Sequence, residues 1–317
     1  MKVERWQLKQ RQSLPLEVKI NLTKQKIRSF INEFGSNVYI AFSGGKDSTV
    51  LLDIARQVEP DIKAVFSNTG LEYPEIVSFV NTVSNVDIVR PEHSFLWVLQ
   101  NKGYPIVSKK QARFIRDLQN PTPNNEVTRN LRLTGINSKG ESCKSMALSK
   151  KWLPLIDSKW KISEQCCDEL KKKPLKKYSK ENKSYPIMGT MADEGNGREK
   201  DYLDNGCNMY GANPQSRPMG FWTEQDILNY LKLNNLDYCS VYGDIVLKEG
   251  IYSTTGVKRT GCIFCMFGVH LEKQPNRFQQ LEASHPQLHT YCINKLGIGE
   301  ILDFINVPYT NFNNIYK

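Results

Sequence analysis

The chain has no apolar run approaching the roughly 18 residues that a membrane-spanning helix requires. Its N-terminus, with Glu4, Arg5, Gln7, Lys9 and Gln10, lacks the apolar core of a signal peptide. Both absences point to a cytoplasmic protein with no membrane partner. Acidic residues are in deficit, 33 against 43 Lys and Arg, and the resulting formal charge of +10 favours a polyanion as partner without identifying one, since a nucleotide is itself an anion. Otherwise the composition is that of an ordinary globular protein, 39% hydrophobic and 24% charged, and 317 residues suffice for one large core or two smaller ones. Cysteine is not scarce. Eight of them in a reducing compartment, where disulfides are not the expected use, direct attention to metal or sulfur chemistry.

The apolar run Val38-Tyr39-Ile40-Ala41-Phe42 reads as a buried strand, and Thr49-Val50-Leu51-Leu52-Asp53-Ile54-Ala55 carries apolar residues at helical spacing. Between them lies Ser43-Gly44-Gly45-Lys46-Asp47-Ser48. Glycines let the backbone approach a ligand closely, and the unpaired N–H groups of a helix start favour an anion, so this strand, loop and helix form a phosphate cradle with Lys46 as a positive charge at its mouth. The loop is not a Walker A sequence, being too short and having Asp after Lys. It resembles the S-G-G-x-D-S loop of the ATP pyrophosphatases, which cleave ATP between its α and β phosphates. That resemblance implies an adenine nucleotide α-hydrolase-like α/β fold, a mostly parallel sheet flanked by helices, with ATP and Mg2+ bound by Ser43, Gly44, Gly45, Lys46, Asp47 and Ser48 and with Lys46 and Asp47 as catalytic residues.

Ahead of the first strand, Ile27, Phe30, Ile31 and Phe34 form a helical stripe that covers the sheet. Beyond it, Ile62-Lys63-Ala64-Val65-Phe66 reads as a second strand delivering Ser67-Asn68-Thr69-Gly70-Leu71-Glu72 to the same edge. This segment resembles the D-T-G-x-E element of the reductase-like branch of the pyrophosphatases, with Asn68 where that branch has Asp, and implies nucleotide contacts from Asn68, Thr69, Gly70 and Glu72. Asn120 to Gly140, with Pro121, Pro123 and clustered asparagines, breaks periodicity and reads as a long loop or insertion. Gly189, Glu194 and Arg198 match the branch's G-x-x-x-x-E-S-x-x-R element, which places Arg198 beside the phosphates as a third catalytic residue. Thr223 with Asp226 three residues later marks a capped helix start, and Trp222 before it reads as structural.

Cys262-Ile263-Phe264-Cys265 lets two thiolates reach one metal, as zinc or an iron-sulfur cluster requires. Adjacent Cys166-Cys167 strain more easily around one small zinc ion than at two corners of a cubane. Together the two pairs resemble the four-iron ligation pattern of the assimilatory adenylylsulfate reductases, which implies a [4Fe-4S] cluster on Cys166, Cys167, Cys262 and Cys265. Cys143, Cys207, Cys239 and Cys292 remain, each either buried or a carrier of persulfide.

A linear division follows: residues 1–35 as a helical extension, 36–230 as the nucleotide-binding domain with an insertion near 118–142, and 231–317 as a cysteine-rich C-terminal lobe. The E-C-G-x-H motif of the strict sulfonucleotide reductases is not found, and on that ground the resemblance is nearer to the iron-sulfur sulfurtransferase of DNA phosphorothioation. It implies adenylation of a DNA oxygen, a cysteine desulfurase as sulfur donor, other sulfur-modification subunits as partners, and a homodimer as one assembly. Adenylylsulfate or phosphoadenylylsulfate reduction, transfer RNA thiolation and a non-catalytic iron-sulfur module are the alternatives.

Overall fold

The structure, a computed structural model, describes residues 2–311. Its contacts divide the chain into two units, each assembled from separated segments. The first comprises the chain up to Asn68, Glu72–Arg90 and Lys173–Thr260; the second comprises Thr69–Leu71, Pro91–Lys172 and the chain from Gly261 on.

The first unit is built on a six-stranded sheet of β1 (Val38–Phe42), β2 (Lys63–Ser67), β3 (Val86–Val89), β4 (Tyr185–Met188), β5 (Asn208–Met209) and β6 (Gln215–Ser216), in the order β3-β2-β1-β4-β6-β5. All pairs are parallel except β5 with β6. Ile40, at the centre, faces Ala64 of β2 and Ile187 of β4, and all three are wholly buried. Continuous apolar strands of this kind need cover on both faces. Helix α1 (Leu16–Phe34) supplies part of it through Thr23, Ile27 and Phe30, while Ile31 and Phe34, expected on the same stripe, are only half-buried. The Thr23 hydroxyl accepts the Trp222 indole N–H at 2.9 Å, so Trp222 is a packing residue, as its setting in the sequence suggests.

After β1 the chain runs out to β2 and β3 on one side and returns through β4 on the other, which makes the β1/β4 boundary the switch point of the sheet. In open α/β sheets, ligands bind outside the carboxyl ends of the strands at such a point. The glycine loop leaves β1 there and enters α2 (Lys46–Arg56), while α3 (Pro74–Thr82) packs over the loop and α4 (Glu224–Leu233) carries the expected Thr223–Asp226 capping box.

In the second unit a short parallel pair joins strand Ile106–Val107 to strand Met266–Phe267. Residues 120–140, expected to be a loop, contain the helix Glu126–Thr134. Its Arg132 is buried over the Phe114 ring at 4.0 Å and reaches the Asp117 carboxylate at 3.4 Å. Tertiary packing supplies what local periodicity lacks there. Among the described residues no helix is long and apolar enough to cross a membrane.

Candidate active site

In the first unit the loop is held open from within. Ser48 Oγ donates to the Gly45 carbonyl at 2.9 Å, lies 3.0 Å from Ser43 Oγ and accepts the Ser43 N–H at 3.1 Å, and Thr49 Oγ1 also donates to Gly45. These hydroxyls fix the loop from within. Gly44 sits at φ +69°, and a Cβ there would meet methyl groups of Ile76 and Val80 at 2.9 Å, so α3 can lie against the loop only because this residue is glycine. From the other side Gly189, just after β4, approaches the Asp47 backbone so closely that a Cβ would stand 3.2 Å from its carbonyl oxygen.

A solvent-open cavity of about 640 Å3 lies at this junction, lined by Ser43, Gly45, Lys46, Asp47, Met191, Asp193, Glu194, Glu224, Tyr242, Arg259 and Thr260. Lys46 is 4% exposed, and its ammonium donates to the Glu224 carboxylate at 2.8 Å and to the Lys258 carbonyl at 2.6 Å. Its backbone N–H donates to the Tyr242 hydroxyl, itself 2.6 Å from Thr260 Oγ1. One Asp47 oxygen is sealed without a hydrogen-bond partner. Burial lifts the Asp47 carboxyl from 3.8 to about 6, against the lowering pull of Lys46 and with smaller contributions from Glu194, Glu224 and Arg259. Two cations therefore face four carboxylates, and an entering anion competes with Glu224 for Lys46.

Arg198, expected beside the phosphates, does not line this cavity. It is half-exposed, pairs with Glu194 at 3.6 Å, and borders a smaller cavity with Thr190, Asp201 and Arg217. Arg259 is the guanidinium that the loop cavity contains. It is not marked by any motif in the sequence, nor are Tyr242, Thr260 and Glu224, although the basic pair Lys258-Arg259 stands directly before Thr260-Gly261. Asn68 and Glu72, expected at the nucleotide, do not line the cavity. Asn68 donates its N–H to Val89, whereas Thr69 and Gly70 belong to the second unit, where the Thr69 hydroxyl accepts the Leu71 N–H and Gly70 adopts φ +74°.

The second unit gathers Cys166, Cys167, Cys262 and Cys265 around a narrow, partly open pocket completed by Leu71, Phe95, Pro105, Leu170 and Lys171. Cys166 Sγ stands 4.0 Å from Cys167 Sγ and donates to it. That hydrogen bond, with the charges of Lys109 and Lys171, holds the Cys167 thiol down to about 6 against the effect of burial. Cys166, the donor, is correspondingly pushed up. Among the described residues no group of three or more His, Cys, Asp or Glu side chains could hold a single metal ion. Four thiols around an apolar space do suit a cubane, which takes one thiolate at each of four separated corners. Cys207, Cys239 and Cys292 are buried, and burial raises each of their thiols, so they stay protonated and weakly nucleophilic. Cys143 is half-buried.

The protein has an α/β fold with a central sheet flanked by helices and a glycine loop at its switch point, consistent with the adenine nucleotide α-hydrolase-like class. Within it, the chain belongs to the phosphoadenosine phosphosulfate reductase domain family, whose sequence model matches residues 37–114 and 124–266. An uncharacterized protein of Methanocaldococcus jannaschii, MJ0973, is 24% identical over 264 residues, 81% of this chain and 46% of that protein. Adenosine 5'-phosphosulfate reductase of Geobacillus kaustophilus is 25% identical over 121 residues, 38% of this chain and 49% of that protein. The chain thus spans about half the length of these curated relatives. The crystal structure of phosphoadenylyl-sulfate reductase from Candida auris superposes with a TM-score of 0.40 at 12% identity, covering 76% of this chain and 91% of that one, and carries no functional argument.

These findings overturn the expectation of DNA phosphorothioation. The family matched, and the curated relative of named activity, are sulfonucleotide reductases, the reading that the sequence had placed second. Net positive charge does not distinguish DNA from a small anionic nucleotide, and the absence of one short motif does not separate the two activities.

Proposed function

We propose that the chain binds an adenosine 5'-phosphosulfate-type nucleotide in the loop cavity and takes part in reductive cleavage of its sulfo group. The observation that carries this reading is the reach of the family match, which extends across both the glycine loop and all four cavity cysteines. The N–H groups at the start of α2 face the anionic end of the nucleotide, Arg259 supplies a cation, and Lys46 supplies a second when Glu224 yields it. In the reaction a thiolate attacks the sulfur, the S–O bond to the nucleotide phosphate breaks, and its electron pair leaves with AMP. A second thiolate then displaces sulfite and closes a disulfide, so both electrons come from thiols. Cys207, Cys239 and Cys292 are buried and Cys143 is half-buried, and the attacking thiols are assigned to a dithiol reductant rather than to any of the four.

Cys166, Cys167, Cys262 and Cys265 would hold a [4Fe-4S] cluster, which when bound ties two distant chain segments together and provides a one-electron centre. Calorimetric titration of the anaerobically purified protein with adenosine 5'-phosphosulfate, its 3'-phosphorylated form and ATP tests the substrate class. Saturable binding of a phosphosulfate in preference to ATP is expected. Binding of ATP with no binding of either phosphosulfate would overturn the assignment.

A further inference from the structure

Tyr242 and Thr260 flank a β-hairpin of the first unit, Ile245–Lys248 paired with Ile251–Thr254, and meet at the glycine loop. The Tyr242 oxygen accepts the Lys46 N–H at 3.3 Å and lies 2.6 Å from Thr260 Oγ1. Both hydroxyls stand over Gly45, where an added Cβ would meet Tyr242 Oη at 3.2 Å and Thr260 Oγ1 at 3.3 Å. The base of the hairpin holds them there. Gly256 donates its N–H to the Tyr242 carbonyl at 2.8 Å, and Val257 donates to the Val241 carbonyl at 3.1 Å. The Lys258 carbonyl, two residues before Thr260, accepts the Lys46 ammonium at 2.6 Å.

Burial fixes the direction of the bond between the two hydroxyls. Tyr242 is 2% exposed, and among the described residues its hydroxyl has no acceptor other than Thr260. The same burial pushes the Tyr242 hydroxyl up to about 12, so it keeps its proton. Were Thr260 the donor, that phenolic proton would be sealed in without a partner, which is costly. Tyr242 therefore donates to Thr260. The proton of Thr260, which is only half-buried and lines the loop cavity, is left free to donate in turn. Arg259, the residue before it, lines the same cavity.

We infer that Thr260 is a binding residue whose hydroxyl donates to an oxygen at the anionic end of the nucleotide, and that Tyr242 is the positioning residue that orients it. Every bond in the series from the Lys46 N–H through Tyr242 and Thr260 to the ligand runs from donor to acceptor, so the helix start acts on the anion through two hydroxyls. The ligand atom that meets Thr260 must be an acceptor, as the oxygens of a phosphate or sulfo group are. The pair thus supplies a neutral, directed donor in a cavity where carboxylates oppose the charges of Lys46 and Arg259. The inference rests on the reading that the loop cavity takes a phosphosulfate, and it goes beyond that reading by naming the donor and the residue that aims it.

The test is a double-mutant cycle read by calorimetric titration with adenosine 5'-phosphosulfate on the anaerobically purified protein, with the melting temperature of each variant recorded. Thr260→Val is expected to weaken binding roughly tenfold, about 1.4 kcal/mol, while Thr260→Ser stays within about twofold of wild type. In the Tyr242→Phe background the same Thr260→Val change is expected to cost no more than about twofold, because the hydroxyl is no longer aimed. Should Thr260→Val melt well below wild type, Thr260→Ala completes the cycle in its place. Equal or tighter binding by Thr260→Val would overturn the inference and leave the substrate assignment standing. A tenfold loss in both backgrounds would overturn the role of Tyr242. If the wild type binds ATP and no phosphosulfate, the substrate assignment fails, and the same cycle run with ATP still decides the hydroxyl pair. Wild type that binds neither nucleotide would overturn both.

Discussion

The loop cavity of the first unit and the cysteine cavity of the second are built on opposite principles. One is made from a contiguous hexapeptide at a sheet edge and filled with charges that neutralise one another: Lys46 against Glu224, with Asp47 sealed beneath. The other draws on residues about a hundred positions apart, walls them with Leu71, Phe95, Pro105 and Leu170, and presents thiols. In the first, backbone conformation is decisive, because Gly44, at positive φ, leaves no room for a side chain and Gly189 leaves little. In the second, side-chain identity is decisive, because the four thiols and Lys171 are the polar side chains among its otherwise apolar lining. Substitutions should therefore act differently in the two regions.

The largest effect is expected from cysteine. Cys167→Ser or Cys262→Ser should abolish stable iron incorporation, measured by iron and acid-labile sulfide content after anaerobic purification, while the calorimetric affinity for nucleotide stays within a fewfold of wild type. Loss of nucleotide binding in both variants at native stability would erase the distinction between the two regions.

Next in size is a pH effect on stability. Because Asp47 is lifted from 3.8 to about 6, the folded chain retains a proton between those values that the unfolded chain has released. Stability therefore falls as pH rises from about 4 to about 6, by on the order of 3 kcal/mol at most. Denaturant melts across that window should show the fall in wild type and a flatter profile in Asp47→Asn. A wild-type profile that rises through the window, or one the variant reproduces, would place the burden elsewhere.

The smallest effect tests the charge balance of the loop cavity. Lys46→Met should weaken phosphosulfate binding by roughly 10- to 100-fold, equivalent to about 1.4–2.7 kcal/mol. Glu224→Gln should strengthen it several-fold by releasing the Lys46 ammonium from its carboxylate. Equal affinities in all three proteins would remove Lys46 from the anion site.

How far the sequence reveals each region follows from the same contrast. The strand Val38–Phe42, the loop and the capped start at Thr223 are local features, set by apolar runs, glycine and hydrogen-bonding side chains within a few residues. They are legible in the sequence, and so is the pairing of Cys166-Cys167 with the C-x-x-C as candidate ligands. Arg259 and Tyr242 are not, because they reach the loop cavity only through the chain path between Asn234 and Gly261, which no periodicity encodes. Arg198 was placed by motif spacing, yet its guanidinium turns to Glu194 and a different cavity. The helix Glu126–Thr134 hides behind Pro121 and Pro123, and it is anchored by a non-local contact, Arg132 lying on Phe114. The turn at Val107 is equally hidden, since valine at φ +65° is contrary to its own local preference.

The most direct measurement of the central claim is product analysis after anaerobic incubation of the iron-loaded protein with 35S-labelled adenosine 5'-phosphosulfate and excess dithiol. The account predicts labelled sulfite and AMP in equal amounts, with release slowed roughly 10- to 100-fold at subsaturating phosphosulfate when Lys46 is replaced by methionine. Intact phosphosulfate, together with pyrophosphate released from ATP in a parallel incubation, would contradict it.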